Sequence, residues 1–154
     1  AFIYNAVMKL TLFTDIAIRT LMYLSHAEKD HSVTISEISE RFNVRRNHLT
    51  KVIQKLSNLK WVEATRGRNG GLRLGHGVWF IGLGVIVKTL ENDRSVVDCN
   101  TPPCILSGNC QLKHVLDLAL KAFYDELDKF KLKDIVIAST TSHVLTRLHN
   151  TLLS

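Results

Sequence analysis

Cysteine and proline are scarce in this sequence of 154 residues, which holds three of the first and two of the second. Three cysteines cannot supply a disulfide framework, and a chain of this length buries enough core to need none. The two prolines stand together at Pro102-Pro103. No apolar run is long enough to cross a bilayer. The stretch at residues 1–7 is apolar but short and lacks a basic leader, so it does not resemble a signal peptide. Met8 reads as the natural start, with residues 1–7 an extension outside the fold. These absences lead to the expectation of a cytoplasmic protein without a membrane partner, in a compartment where thiols stay reduced. There is no internal repeat.

Acidic residues are missing from one region. Residues 43–75 carry Arg45, Arg46, Lys51, Lys55, Lys60, Arg66, Arg68 and Arg73 against a single acid, Glu63. Residues 76–154 balance eight basic against eight acidic residues, so the formal charge of +6 sits almost wholly on the first segment. A positive field confined to one segment is what a nucleic-acid footprint requires.

The periodicity gives a mostly helical chain with a small β-hairpin. Thr11 can cap a first helix, on which Phe13, Ala17, Leu21 and Leu24 recur at helical spacing. Residues 28–32 read as a loop. Thr34-Ile35-Ser36-Glu37 fits a capping box opening a second helix, with Ile35, Ile38 and Phe42 inward. After a turn at Asn43-Val44, a third helix is predicted over roughly 46–59. Leu49, Val52, Ile53, Leu56 and Leu59 form its buried stripe. Its other face is polar and basic. Two short helices joined by a tight turn, the second with a basic outer face, make a helix-turn-helix. The alternating pairs Val62/Ala64 and Leu72/Leu74 then flank a basic tip in which Asn69-Gly70-Gly71 is expected to supply the positive φ angles of the turn. That hairpin reads as the wing of a winged helix-turn-helix spanning residues 8–75.

Residues 76–136 are expected to form a second unit. Residues 75–84 are rich in glycine, and Val85–Glu91 reads as a short helix. A loop at 98–110 follows, then a long helix over about 111–130. Leu112, Val115, Leu116, Ala119, Phe123, Leu127 and Phe130 line one face of it, and Leu120 and Tyr124 add a second apolar edge. So apolar a helix has two surfaces to bury, one of them against a twin subunit. Residues 137–154 read as a weakly ordered tail.

In a helix-turn-helix the second helix enters the major groove and its first residues meet base edges. That assigns Arg45, Arg46, Asn47, His48 and Lys51 to double-stranded DNA, with arginine suited to guanine and asparagine to adenine. Arg66 and Arg68 of the wing suit phosphates or a minor groove. The second constellation is Cys99, Cys104 and Cys110, all three cysteines of the chain in one loop. Core cysteines would scatter, so coordination is the natural reading. Zinc sites usually pair cysteines with two to four residues between them; Cys99 and Cys104 stand at the wide end of that range, and Cys110 lies beyond it. Wider loop spacing suits an iron–sulfur cluster. A zinc site with His114 as fourth ligand is the alternative. A thiol enzyme is disfavoured because no base and orienting partner are visible, and no enzymatic activity is expected.

Several runs fall in a familiar order: Leu10-Thr11-Leu12-Phe13-Thr14-Asp15, Arg46-Asn47-His48-Leu49-Thr50-Lys51-Val52-Ile53, Arg66-Gly67-Arg68-Asn69-Gly70-Gly71-Leu72-Arg73-Leu74, and the three-cysteine loop. Over roughly residues 8–136 the chain resembles the Rrf2 family of winged-helix transcription regulators, and within it the repressors that sense nitric oxide. The resemblance implies a homodimer whose long helices cross, on DNA with inverted-repeat half-sites. It implies a cluster held by Cys99, Cys104 and Cys110, with Asp15 of the partner subunit as fourth ligand. It also implies repression that nitric oxide relieves by attacking the cluster. In a relative that senses cluster supply, a histidine three residues after the last cysteine completes a 2Fe–2S site. Lys113 stands there in this chain and the histidine comes one residue later, which favours 4Fe–4S over 2Fe–2S. A sensor of cluster supply or of oxidants, using the same loop, is the alternative within the family.

Overall fold

The computed structural model describes residues 9–27, 31–68, 70–92 and 95–151. The predicted extension at 1–7 and the turn residue Asn69 lie outside these. Among the described residues there are seven α-helices and a two-stranded antiparallel sheet: α1 (Leu12–Ser25), α2 (Ile35–Phe42), α3 (Arg46–Asn58), β1 (Val62–Ala64), β2 (Leu72–Leu74), α4 (Leu83–Leu90), α5 (Gln111–Leu127), α6 (Leu132–Ile137) and α7 (Ser139–Asn150).

Helix α1 is the axis of the core. Thr11 caps it by accepting from the Thr14 N–H at 3.2 Å. Ile16, Ala17, Leu21, Tyr23 and Leu24 are buried along it. Against them pack Ile38 of α2 and Leu49, Val52, Ile53 and Leu56 of α3, which is the predicted stripe. Burying such side chains stabilises by about 1.5–3 kcal/mol each and fixes the helix pair on α1. The turn between α2 and α3 is tight because Asn43 takes the left-handed conformation at φ 49°, which asparagine tolerates. The Ser39 hydroxyl closes the turn by donating to the Val44 carbonyl at 2.6 Å.

The predicted capping box is half formed. The Thr34 hydroxyl accepts from the Glu37 N–H at 3.1 Å. The Glu37 carboxylate, however, accepts from the Tyr23 hydroxyl at 2.6 Å. Tyr23 is buried, so its hydroxyl must find an acceptor, and it takes the one the box would have used.

The predicted strands of the wing pair antiparallel, Val62 opposite Leu74 and Ala64 opposite Leu72. The expected source of its turn is corrected. The glycine with positive φ is Gly67, at 112°. Gly70 and Gly71 are required by close approach instead, since a Cβ would lie 2.2 Å from the Thr65 carbonyl oxygen and 2.2 Å from the Ser32 hydroxyl respectively. The glycine-rich stretch after the wing contains a 3-10 turn, Val78–Phe80, with Val78 buried.

Helix α4 starts at Leu83, two residues before the predicted start. Asp128, beyond the end of α5, accepts from the Val85 N–H at 2.9 Å and so satisfies the first turn of α4. The two helices cross closely at Gly84, where a Cβ would stand 2.2 Å from the Tyr124 carbonyl oxygen. Helix α5 ends at Leu127, so Phe130 lies past its end rather than on its face. No residue of α5 is buried, and Leu112 and Val115 are 64% and 56% exposed.

Within the segment predicted to be a weakly ordered tail, residues 139–150 form α7. Leu132 and Val136 of α6 are fully buried, and Leu145 of α7 joins the same core. The tail's polar composition hid the one apolar anchor Leu145, which packs against residues distant in sequence.

Candidate nucleic-acid interface and cysteine loop

The basic residues assigned to DNA come to the surface as expected, with one exception. Arg45 precedes α3 as its N-cap, and its side chain makes no capping bond. Arg45, Arg46, Asn47 and Lys51 are exposed on α3 and its entry, and Arg66 and Arg68 are exposed on the wing. Thr50 turns back on its own helix, donating to the Arg46 carbonyl at 2.9 Å. His48 sits differently. It is half-buried, its ring tilted against Phe13 at 6.2 Å between centroids, and its Nε2 is buried without a hydrogen-bond partner. The ring thus braces α3 against α1. Two further exposed residues on this side were not singled out: Gln54, one turn beyond Thr50, and Arg73 of β2. Their signal was available, since Gln54 lies on the predicted outer face and Arg73 belongs to the basic run.

Cys99, Cys104 and Cys110 are free thiols, all half-buried. Their loop is ordered by its own backbone. Asp98 accepts from the Asn100 N–H at 2.8 Å, and the Cys104 N–H donates to the Cys99 carbonyl at 3.0 Å. The Ser107 N–H in turn donates to the Cys104 carbonyl at 3.1 Å. Cys110 is the N-cap of α5, its sulfur accepting from the Lys113 N–H at 3.5 Å. Negative charge is favoured at a helix N-terminus, and the loop delivers a sulfur there. Lys113 adds a cation. Its hydrogen bond to Asp117 holds its ammonium above the ordinary lysine range, against a desolvation effect that lowers it, and Cys99 and Cys110 push the same way as Asp117. The donor set is therefore three soft sulfurs with positive charge beside them, which fits an iron–sulfur cluster. His114 is exposed on the first turn of α5. Asp15 is held by Arg19 one turn along α1, through contacts of 2.9 Å to each carboxylate oxygen.

The elements connect the two sites mechanically. Helix α5 packs on α4, α4 on α1, and α1 on α3. Among the described residues no helix is long and apolar enough to cross a membrane.

Comparison with known proteins agrees with this picture. Residues 10–138 match the family model Rrf2, described as an iron-dependent transcriptional regulator. The chain is 42% identical over 133 residues to the HTH-type transcriptional regulator NsrR of Bacillus licheniformis, a match covering 84% of this chain and 93% of the relative. It is 42% identical over 132 residues to NsrR of Bacillus subtilis, covering 84% and 90%. Among solved structures it resembles CymR, the global cysteine regulator of B. subtilis, with a TM-score of 0.68, 21% identity, and coverage of 86% and 99%. It also resembles T. potens IscR, with a TM-score of 0.63, 22% identity, and coverage of 84% and 86%. At these identities the two structures speak to the fold alone. The sequence relatives are named as transcriptional regulators and not as enzymes, and the chain belongs to the Rrf2 family of transcriptional regulators.

Proposed function

We propose that this regulator is a cytoplasmic, homodimeric DNA-binding repressor whose affinity is set by an iron–sulfur cluster that reacts with nitric oxide. The observation that carries the reading is the loop holding three free, half-buried thiols and ending as the cap of α5. Cys99, Cys104 and Cys110 would hold the cluster, 4Fe–4S by the resemblance, with Asp15 of the partner subunit as the fourth ligand. When bound, the cluster supplies iron, for which nitric oxide competes with thiolate.

The chain's own residues convert the state of the loop into DNA affinity. Cys110 fixes the loop to the start of α5. The close crossing at Gly84 fixes α5 to α4, and α4 bears on α1, which carries α3. The exposed apolar face of α5, with Leu112 and Val115, suits burial against a second copy of the chain. A dimer built on α5 sets the separation of its two α3 helices, which must match half-sites about one turn, ~34 Å, apart. A change worth ~1.4 kcal/mol in that match alters affinity tenfold.

The test is anaerobic purification followed by absorbance and by iron and sulfide analysis. A coloured protein carrying both elements is expected. Each of Cys99→Ala, Cys104→Ala and Cys110→Ala is expected to lose the colour while keeping the helical circular dichroism. A colourless parent protein would return the loop to the zinc reading. Operator binding that nitric oxide leaves unchanged in the coloured protein would remove the sensing role.

A further inference from the structure

Outside the cysteine loop and the residues assigned to DNA, His31 and Glu37 meet His149 from the far end of the described chain. Each of His31, Glu37 and His149 places a ligand atom within 4.8 Å of the other two. We propose that they form a binding site for one divalent transition-metal ion of the zinc class. Two imidazoles and a carboxylate are a common zinc ligand set, with a fourth position left for water.

The tautomer of His149 is the strongest indication. This residue is only 7% exposed and stacks on Tyr23, ring centroids 4.0 Å apart. Its Nε2 lies 2.9 Å from the Tyr23 carbonyl oxygen, an acceptor only, so Nε2 carries the proton and donates. Nδ1 therefore holds a lone pair, and it is buried without a hydrogen-bond partner. A histidine that donates through one nitrogen to a backbone carbonyl and offers the other is arranged as metal-ligating histidines are.

The other two ligands are prepared similarly. The Glu37 side chain is 9% exposed and is oriented by the Tyr23 hydroxyl, which donates to its Oε1 at 2.6 Å. His31 Nε2 lies 3.1 Å from both Glu37 oxygens. Ligands on tetrahedral zinc bonded at ~2.0–2.1 Å stand about 3.3 Å apart, so this pair already has the required spacing. A hydrogen-bonded His31–Glu37 pair alone would explain two of the three residues. It leaves the buried, unpartnered Nδ1 of His149 without a purpose.

The site joins the loop before α2, the first turn of α2, and the end of α7. His149 lies beyond the residues matched by the family model, so the ion would fasten α7 onto the helix-turn-helix.

Because the three thiols of the cysteine loop can themselves take up Zn2+, the test uses the full chain with Cys99→Ser, Cys104→Ser and Cys110→Ser as host. After chelator treatment, Zn2+ is titrated by calorimetry, and thermal unfolding is followed with and without Zn2+. One Zn2+ per chain and a rise in melting temperature are expected. His31→Ala removes a partly exposed ligand and leaves the fold intact. It is expected to weaken binding about tenfold or more and to abolish the thermal rise. His149→Gln, which keeps a donor for the Tyr23 carbonyl, is expected to do the same. A host that binds no Zn2+, or a His31→Ala protein that binds it as tightly as the host, overturns the site. Because the host lacks the cysteines, neither result bears on the cluster.

Discussion

The Glu91 carboxylate holds the cap of α1: its Oε1 accepts from the Thr11 N–H at 2.8 Å and from the Thr11 hydroxyl at 2.9 Å. Glu91 follows the last residue of α4, and Thr11 precedes the first of α1, so one side chain joins the two helices end to end. Thr11 meanwhile accepts from the Thr14 N–H, so the contact lies on the path from the cysteine loop to the recognition helix.

Removing either partner should expose that linkage. Thr11→Ala is expected to cost about 1 kcal/mol as a lost helix cap. Glu91→Ala is expected to cost about 1–3 kcal/mol, because it strands a part-buried backbone donor. The two act through one contact, so the double variant should be less destabilised than the two single losses added together. Urea denaturation of the four proteins measures this, and additivity within about 0.3–0.5 kcal/mol would show the contact to be energetically idle.

Gly84 offers a second test of the same path. Its α-hydrogen faces the Tyr124 carbonyl, with no room for a methyl group. Gly84→Ala must separate α4 from α5 and is expected to cost about 1–3 kcal/mol. A helix-propensity argument gives the opposite sign, because alanine in a free helix is favoured over glycine by about 1 kcal/mol. The melting temperature alone decides between them.

The two classes of basic residue should separate in DNA-binding assays. Arg68 is exposed on the wing, and as a phosphate contact its loss should weaken binding to all sequences alike and flatten the salt dependence by about one unit of slope. Arg46 and Asn47 are exposed at the start of α3, and their replacement by alanine should instead relax base preference at particular positions, by about 1–3 kcal/mol each. His48→Ala should act through stability rather than base preference, because its ring lies against Phe13. Selection of binding sites from a random pool distinguishes these outcomes; a changed preference in the His48 variant would place that ring in the groove after all.

How much of this was legible beforehand follows from the range of the interactions. The helix-turn-helix was legible because its signals are local: the cap at Thr11, the stripe from Leu49 to Leu56, and the alternation at Val62 and Leu72. That the three cysteines share one loop was legible because they lie within twelve residues of the chain. The inward turn of His48 was not, since it depends on Phe13, thirty-five residues earlier. Nor was the loss of the Glu37 capping contact, which a buried tyrosine from another helix takes over. Helix α7 was missed for the same reason: its anchors Leu145 and His149 make sense only against α1.

The last prediction concerns Asp15. In the single chain its carboxylate is paired with Arg19 on the same helix, with side chains 38% and 54% exposed. An exposed pair of this kind contributes about 0–1 kcal/mol, and a negative charge in the first turn of α1 adds a comparably small favourable effect. If Asp15 serves only its own helix, Asp15→Ala should lower the stability of the cluster-free protein slightly and do nothing else. A role as ligand from the partner subunit predicts more. The weak pairing with Arg19 makes the carboxylate inexpensive to recruit across a dimer. An oxygen donor on iron otherwise bound by sulfur would be the weakest bond of the set, and hence the first that nitric oxide displaces. Asp15→Ala should therefore change the vibrational spectrum of the anaerobically purified protein and its rate of reaction with nitric oxide, while Arg19→Ala, which only frees the carboxylate, should leave the spectrum as it was. Identical spectra and rates in Asp15→Ala and the parent protein would confine Asp15 to its helix and leave the fourth ligand to another group.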